Sequence, residues 1–144
     1  MDLYKQFPPI LLVRAFGLLL RGRVHFRKDC IGTSEKGERE DFVIFRKIVV
    51  YPAGNQLQNP GAIFKVRFHF AKFSFRINRL LSLIPVPFII AQPGFRSKTW
   101  MTGLNTGAFQ GVYEWDLVED AEKYWYSFPL KLMKKRAVPE TLTK

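Results

Sequence analysis

A single cysteine, Cys30, occurs among 144 residues, so no disulfide forms within the chain and no cysteine-based metal site is assembled from one copy. A reducing compartment is the natural setting for such a composition. Histidines number two, His25 and His69, too few for an imidazole metal centre, and no metal is expected. Long apolar runs are missing too. The run from Ile10 to Leu20 is interrupted by Arg14 and Gly17 and is shorter than the ~20 residues a bilayer span requires. No small-x-small cleavage site follows it, and the basic RGRVHFRK that does follow is foreign to a secretory leader. There is no glycine-rich phosphate loop, because Gly103, Gly107 and Gly111 fall at a hairpin and in a strand rather than ahead of a helix. Acids are scarce as well: 12 stand against 23 Lys and Arg, for a net charge of +11.

That charge asks for an anionic partner, whether nucleic acid, an acidic membrane surface or a charged small ligand, or else is a solvated basic surface. The acids gather in EKGERED and EWDLVEDAE. Apolar residues make up 47% and aromatics 15%, too much for a disordered chain and enough for one core. These bounds describe a cytoplasmic protein, with the inner membrane surface as a place for peripheral contact.

Two regions are expected: residues 1–40 as an N-terminal helix and polar loop, and 41–144 as the main domain with its core at about 62–144. Pro8 and Pro9 suit the start of a helix running to Leu20. It either covers apolar surface on the domain or lies through residues 9–20 on an anionic membrane. DCIGTSEKGERED reads as a mobile polar loop. DFVIFRKIVVYP is a strand stopped by Pro52, and AIFKVRFHFAKF alternates strictly, with Phe64, Val66, Phe68 and Phe70 on one face and Lys65, Arg67 and His69 on the other. Ser74 is a helix N-cap. Leu80, Leu81 and Ile84 form the apolar side of its helix, which Pro85 and Pro87 end. GFRSKTWMTG and AFQGVYEWD are strands joined across LNTG. Asp116 caps the next helix with Glu119 completing a capping box, Pro129 stops or kinks that helix near Phe128, and AVPETLTK supplies a short final strand. From residue 62 onward the order is strand, helix, strand, strand, helix, strand. This is the α+β, ferredoxin-like split βαβ arrangement, an antiparallel sheet with its helices on one face and the other face bare.

The pattern of Ser97, Lys98 and Trp100 on one strand, Thr106 and Gly107 in the turn, Gly111, Tyr113 and Trp115 on the next strand, and Glu119, Ala121 and Glu122 on the helix resembles the dimeric α+β barrel superfamily, in its putative mono-oxygenase group related to antibiotic-biosynthesis mono-oxygenases. The resemblance covers about residues 62–144, with Pro129 a departure from it. It implies a homodimer joined sheet to sheet and a ligand cavity between sheet and helices in each protomer. It also implies a small-molecule-binding protein, a cofactor-free oxygenase or isomerase acting on a hydrophobic aromatic or polycyclic substrate. Members without activity make a non-catalytic ligand-binding or structural dimer the alternative. No cofactor is expected; haem, with His69 as its ligand, enters by family analogy alone.

Candidate site residues follow from strand alternation. Arg67 and His69 share a face of one strand, Arg96, Lys98 and Trp100 a face of the next, and Gln110 and Glu114 a face of the third. If those faces coincide, Arg67 and Lys98 hold a developing phenolate or enolate, His69 moves the proton, and Trp100, Tyr113 and Trp115 supply apolar contact. The structural alternative is an ion-pair network at the dimer interface in which Glu114 meets Arg96 or Lys98. Tyr113, Trp115, Tyr124, Trp125 and Phe128 are brought together as either core or pocket wall. An RNA-binding βαββαβ module has the same element order. It is disfavoured, because the glycine-containing aromatic signature is absent and the YEWD acids would repel phosphate.

Overall fold

The computed structural model describes residues 7–37, 40–51, 60–69 and 74–131. Helix α1 (Pro8–Leu20) opens on the two prolines, where a missing N–H is harmless because the first-turn donors have no helical partner. It closes at Arg21 and Gly22, the latter at φ 65, a left-handed conformation that glycine adopts without strain. Leu11 and Ala15, one turn apart, are buried in the core, and Leu18 packs beside them. Burying Leu11 alone contributes about 2 kcal/mol.

Strands β1 (Val24–Phe26), β2 (Ser34–Lys36), β3 (Asp41–Val50) and β4 (Ala62–Phe68) come next, then helices α2 (Phe75–Leu81) and α3 (Val86–Ile90). Strands β5 (Phe95–Gly103) and β6 (Phe109–Trp115) and helix α4 (Val118–Tyr124) complete the described elements. The fold is α+β, with one six-stranded antiparallel sheet in the order β1-β3-β5-β6-β4 and β2 also paired to β3. Strand β6 lies between β4 and β5, an arrangement compatible with a ferredoxin-like fold. The final strand expected from AVPETLTK lies outside the described residues.

The stretch expected as a polar loop is partly strand. Ser34–Lys36 pairs with Phe42 and its neighbours at one end of β3, and Val24–Phe26 pairs with the other end. Both are three-residue edge strands held by backbone hydrogen bonds; Ser34–Lys36 is exposed and carries no apolar period, whereas Val24 packs half-buried against the core. With α1 in the core and both strands on the sheet, residues 7–37 share the main domain's sheet and core.

A bulge between Ile44 and Arg46 reverses the alternation of β3. Phe42 and Ile44 belong to one face, whereas Ile48 and Val50 face the helices although all four numbers are even. The helix-side core joins Phe64, Val66, Phe68, Trp100, Tyr113 and Trp115 to buried residues of α1, α3 and α4. The opposite face of the sheet carries a second, smaller cluster. Phe42, Ile44, Met101 and Ala108 cluster there, the Arg67 guanidinium sits 5.1 Å from the Phe42 ring centre, and Gln110 donates to Met101 Sδ at 3.5 Å.

Ser74 caps α2, accepting from the Ile77 N–H at 3.4 Å. The helix stops at Leu81, one turn before the prolines. Pro85 and Pro87 instead open α3, since a ring without an N–H fits a first turn better than a last one. Leu80 and Ile84, expected on a buried side, are 66% and 58% exposed. Helix α4 is capped by the Leu117 backbone with no side-chain cap: Asp116 is engaged by Arg96. It ends at Tyr124, and Pro129, fully buried, sits in a separate helical turn at 128–131. The β5–β6 hairpin turns through Gly107 at φ 72, and Glu40 fastens it by accepting from Asn105 N, Thr106 N and Thr106 Oγ1 at 2.9, 3.0 and 2.6 Å. Those bonds hold the Glu40 carboxyl below its usual pKa. Among the described residues no helix is long and apolar enough to cross a membrane.

Candidate functional site

Alternation along β4 and β6 puts Phe64, Tyr113 and Trp115 on the helix side, and α4 brings Tyr124 and Trp125 against them. The rings form a chain. Trp115 and Tyr124 have centres 4.9 Å apart, Tyr124 and Tyr113 4.7 Å, and Phe64 lies 5.7 Å from Tyr113, 5.9 Å from Tyr124 and 6.1 Å from Trp125. Their edge-on and tilted contacts suit the ring quadrupole. Tyr124 Oη donates to Tyr113 Oη at 3.2 Å. Burial pushes both phenols upward in pKa, so both stay protonated at neutral pH. Trp115 Nε1 is buried without a hydrogen-bond partner among the described residues.

At its outer end the chain of rings reaches a cleft of about 700 Å³ between strand β4 and helix α4. Phe64, Trp125 and Tyr126 are its aromatic lining, Ala62 and Ala121 contribute small side chains, and Lys65 and Glu122 add charge of both signs. No strand pairs with the outer side of β4 among the described residues.

At the inner end lies Lys98. The register opposes it to Tyr113 on β6 and Ile48 on β3, and its Nζ is 4.6 Å from the ring centres of both Trp100 and Tyr113. Gly111 makes the room: a Cβ there would stand 3.1 Å from Lys98 Cε and 3.3 Å from Tyr113 Oη. The lysine is 5% exposed, and the ion pairs formed among the described residues, Arg27–Asp29 and Arg96–Asp116, do not include it. Desolvation first, and the positive charge of Arg46 second, hold its amine well below the usual lysine pKa. Arg46 itself is lowered to about 10 by burial and by Arg79. It spans from β3 to α2, donating from Nη1 to Ser82 Oγ at 2.7 Å and from Nη2 to the Arg79 carbonyl at 3.0 Å, with its guanidinium 5.1 Å from the Trp100 ring centre.

The sequence-derived candidates therefore divide between two faces. Lys98, Trp100, Tyr113 and Trp115 meet on the helix side. Arg67 lies on the other face, where its Nη2 approaches Gln110 Oε1 at 3.5 Å; His69, half-buried just beyond β4, follows the same alternation. The expected contact of Glu114 with Lys98 or Arg96 is replaced. Glu114 accepts from Ser97 Oγ at 2.5 Å, and Arg96 pairs with Asp116. The register explains this: Lys98 is opposite Tyr113, so the adjacent Glu114 points away from it, and the bulge between Phe95 and Ser97 shifts the phase of Arg96.

Phe64 and Arg46 were not among those candidates, and Trp125 was named only as core or pocket wall. Trp125 carried a signal, standing four residues after Ala121 on the helix, but Arg46 carried none, because only the bulge turns it toward Trp100. No family model, curated protein or solved structure matches this chain.

Proposed function

We propose that this protein is a small-molecule-binding domain of the mono-oxygenase-like dimeric α+β barrel type, and that each protomer takes a flat, apolar, oxygen-bearing ligand between β4 and α4. The observation that carries this reading is the cleft of about 700 Å³ walled by Phe64 and Trp125. That volume is within the range of small-molecule sites, and aromatic walls with a few charged groups favour a polycyclic ligand with a polar end. Lys65, at the rim of the cleft, is the cation among its lining residues for a phenolate or enolate oxygen. Arg67 and His69, on the other face, play no part in this cleft.

Lys98 favours a second reading, in which the ligand is also isomerised or oxidised. A desolvated amine beside Tyr113, held well below the usual lysine pKa, is a stronger candidate proton acceptor than an ordinary lysine, and Phe64 touches both the cleft and the tyrosine pair. Ligand entry past Phe64 would bring a phenol or an acidic C–H toward that base.

The test is a titration with 2-naphthol, read by tryptophan fluorescence, of the parent and of Ala62→Phe, which fills the cleft without removing a core ring. Binding that weakens by about tenfold or more, the equivalent of 1.4 kcal/mol, with unchanged melting supports the site. Equal binding by both proteins refutes it. Lys98→Met separates the two readings: it retains binding in both and loses turnover only in the second.

A further inference from the structure

We infer that the outer side of the helical layer, formed by α1 and the α2–α3 turn, docks on the surface of an anionic lipid bilayer. The inner side of α1 is spent on the core, yet its outer side presents Val13, Phe16 and Leu20 at 72%, 63% and 72% exposure. The α2–α3 segment adds Leu80, Leu83 and Ile84, all exposed. Helix α1 packs against α3, and Arg46 ties α2 to the same side of the sheet, so the two groups belong to one helical layer. Exposed apolar residues on this scale call for a partner.

The charge of the same layer says which. Residues 7–28 and 74–96 contain no Asp or Glu, and Arg14, Arg21, Arg76 and Arg79 are exposed among the apolar side chains. The exposed acids of α4, Glu119 and Glu122, belong to a different helix. Apolar side chains for the acyl boundary, with cations at headgroup level, are what an interfacial helix uses on an anionic leaflet. A second copy fits less well, because two-fold pairing would set these arginines against their own kind. With only 13 residues, α1 lies on such a surface and does not cross it.

The experiment is sedimentation of the full chain with vesicles of phosphatidylcholine alone and of phosphatidylcholine mixed equally with phosphatidylglycerol, at low and at high salt. The expected result is binding to the anionic vesicles only, weakened by salt, and reduced by about tenfold in Phe16→Glu and in Leu80→Glu, the equivalent of 1.4 kcal/mol. Both positions are exposed, so unchanged melting of the variants confirms that folding is intact. Failure to sediment with anionic vesicles, equal binding to neutral ones, or unaltered binding by both variants overturns the proposal. So does a dimer in light scattering that the two substitutions break, since the patch would then be a self-interface.

Discussion

Replacing Lys98 by Met should stabilise this protein, although it deletes the two cation–π contacts of the residue. With Nζ 4.6 Å from the centres of Trp100 and Tyr113, those contacts are worth about 0.5–2 kcal/mol each when the amine is charged. Against them stands the desolvation of an ammonium without a paired carboxylate, several kcal/mol, increased by Arg46. Desolvation wins, and the amine is held toward its neutral form. Methionine has nearly the same length and no charge to desolvate, so a gain of about 2 kcal/mol at pH 7 is expected, or about 6 °C in melting temperature. The pH dependence gives the sharper signature. The unfolded lysine titrates near 10.4, above the folded value, so between the two the unfolded chain holds a proton that the folded chain lacks. Stability of the parent therefore falls as pH drops below about 10.4, by up to about 1.4 kcal/mol per unit, and levels off below the folded pKa. Lys98→Met should lose that component, and its advantage should vanish as pH approaches 10.4. Urea unfolding followed by tryptophan fluorescence between pH 7 and 10.5 measures both. A variant less stable than the parent, with the parent's slope retained, would mean that Lys98 is charged and paired, and the reasoning would fail.

Three further outcomes test other parts of the account. Gly61→Ala should lower stability by about 3 kcal/mol in urea unfolding, because its Cβ would run into the carbonyl oxygen of Asp116, backbone that cannot swing aside. Arg46→Met should cost about 2 kcal/mol by removing both charge-assisted bonds from β3 to α2, and should raise the Lys98 pKa by removing the neighbouring cation, which NMR titration of the lysine side chain would register. Light scattering at micromolar concentration should return twice the 16.8 kDa chain mass if protomers pair sheet to sheet, and a single chain mass would discard that arrangement.

Much of the fold was legible because burial leaves a period. The alternation of AIFKVRFHF placed Phe64, Val66 and Phe68 on the helix side, the prolines located the start of α1, and Ser74 marked that of α2. Where burial is absent the period is absent too, so the edge strand at 34–36 read as loop, while the one at 24–26 is too short to show a period. Proline was ambiguous in direction: at 85 and 87 its missing donor was read as an end and serves as a beginning. Within the candidate site, Lys98 and Trp100 were recognisably on one face, yet which residues of neighbouring strands share that face depends on register and on two bulges. A one-residue shift carries a side chain to the other side of a sheet, which is why Arg67 and Glu114 were grouped with Lys98 and are separated from it. The aromatic run from Tyr113 to Trp125 turned out to be both things asked of it, core at Trp115 and Tyr124 and cleft wall at Trp125.

The most direct test of the proposed site is an amide and indole NMR titration of the full chain with 2-naphthol. The account predicts shifts concentrated at Ala62, Phe64, Ala121 and the Trp125 indole, with Arg67, Gln110 and Met101 on the opposite face of the sheet unmoved. Shifts confined to that opposite face, or none at saturating naphthol, would contradict a ligand cleft between β4 and α4.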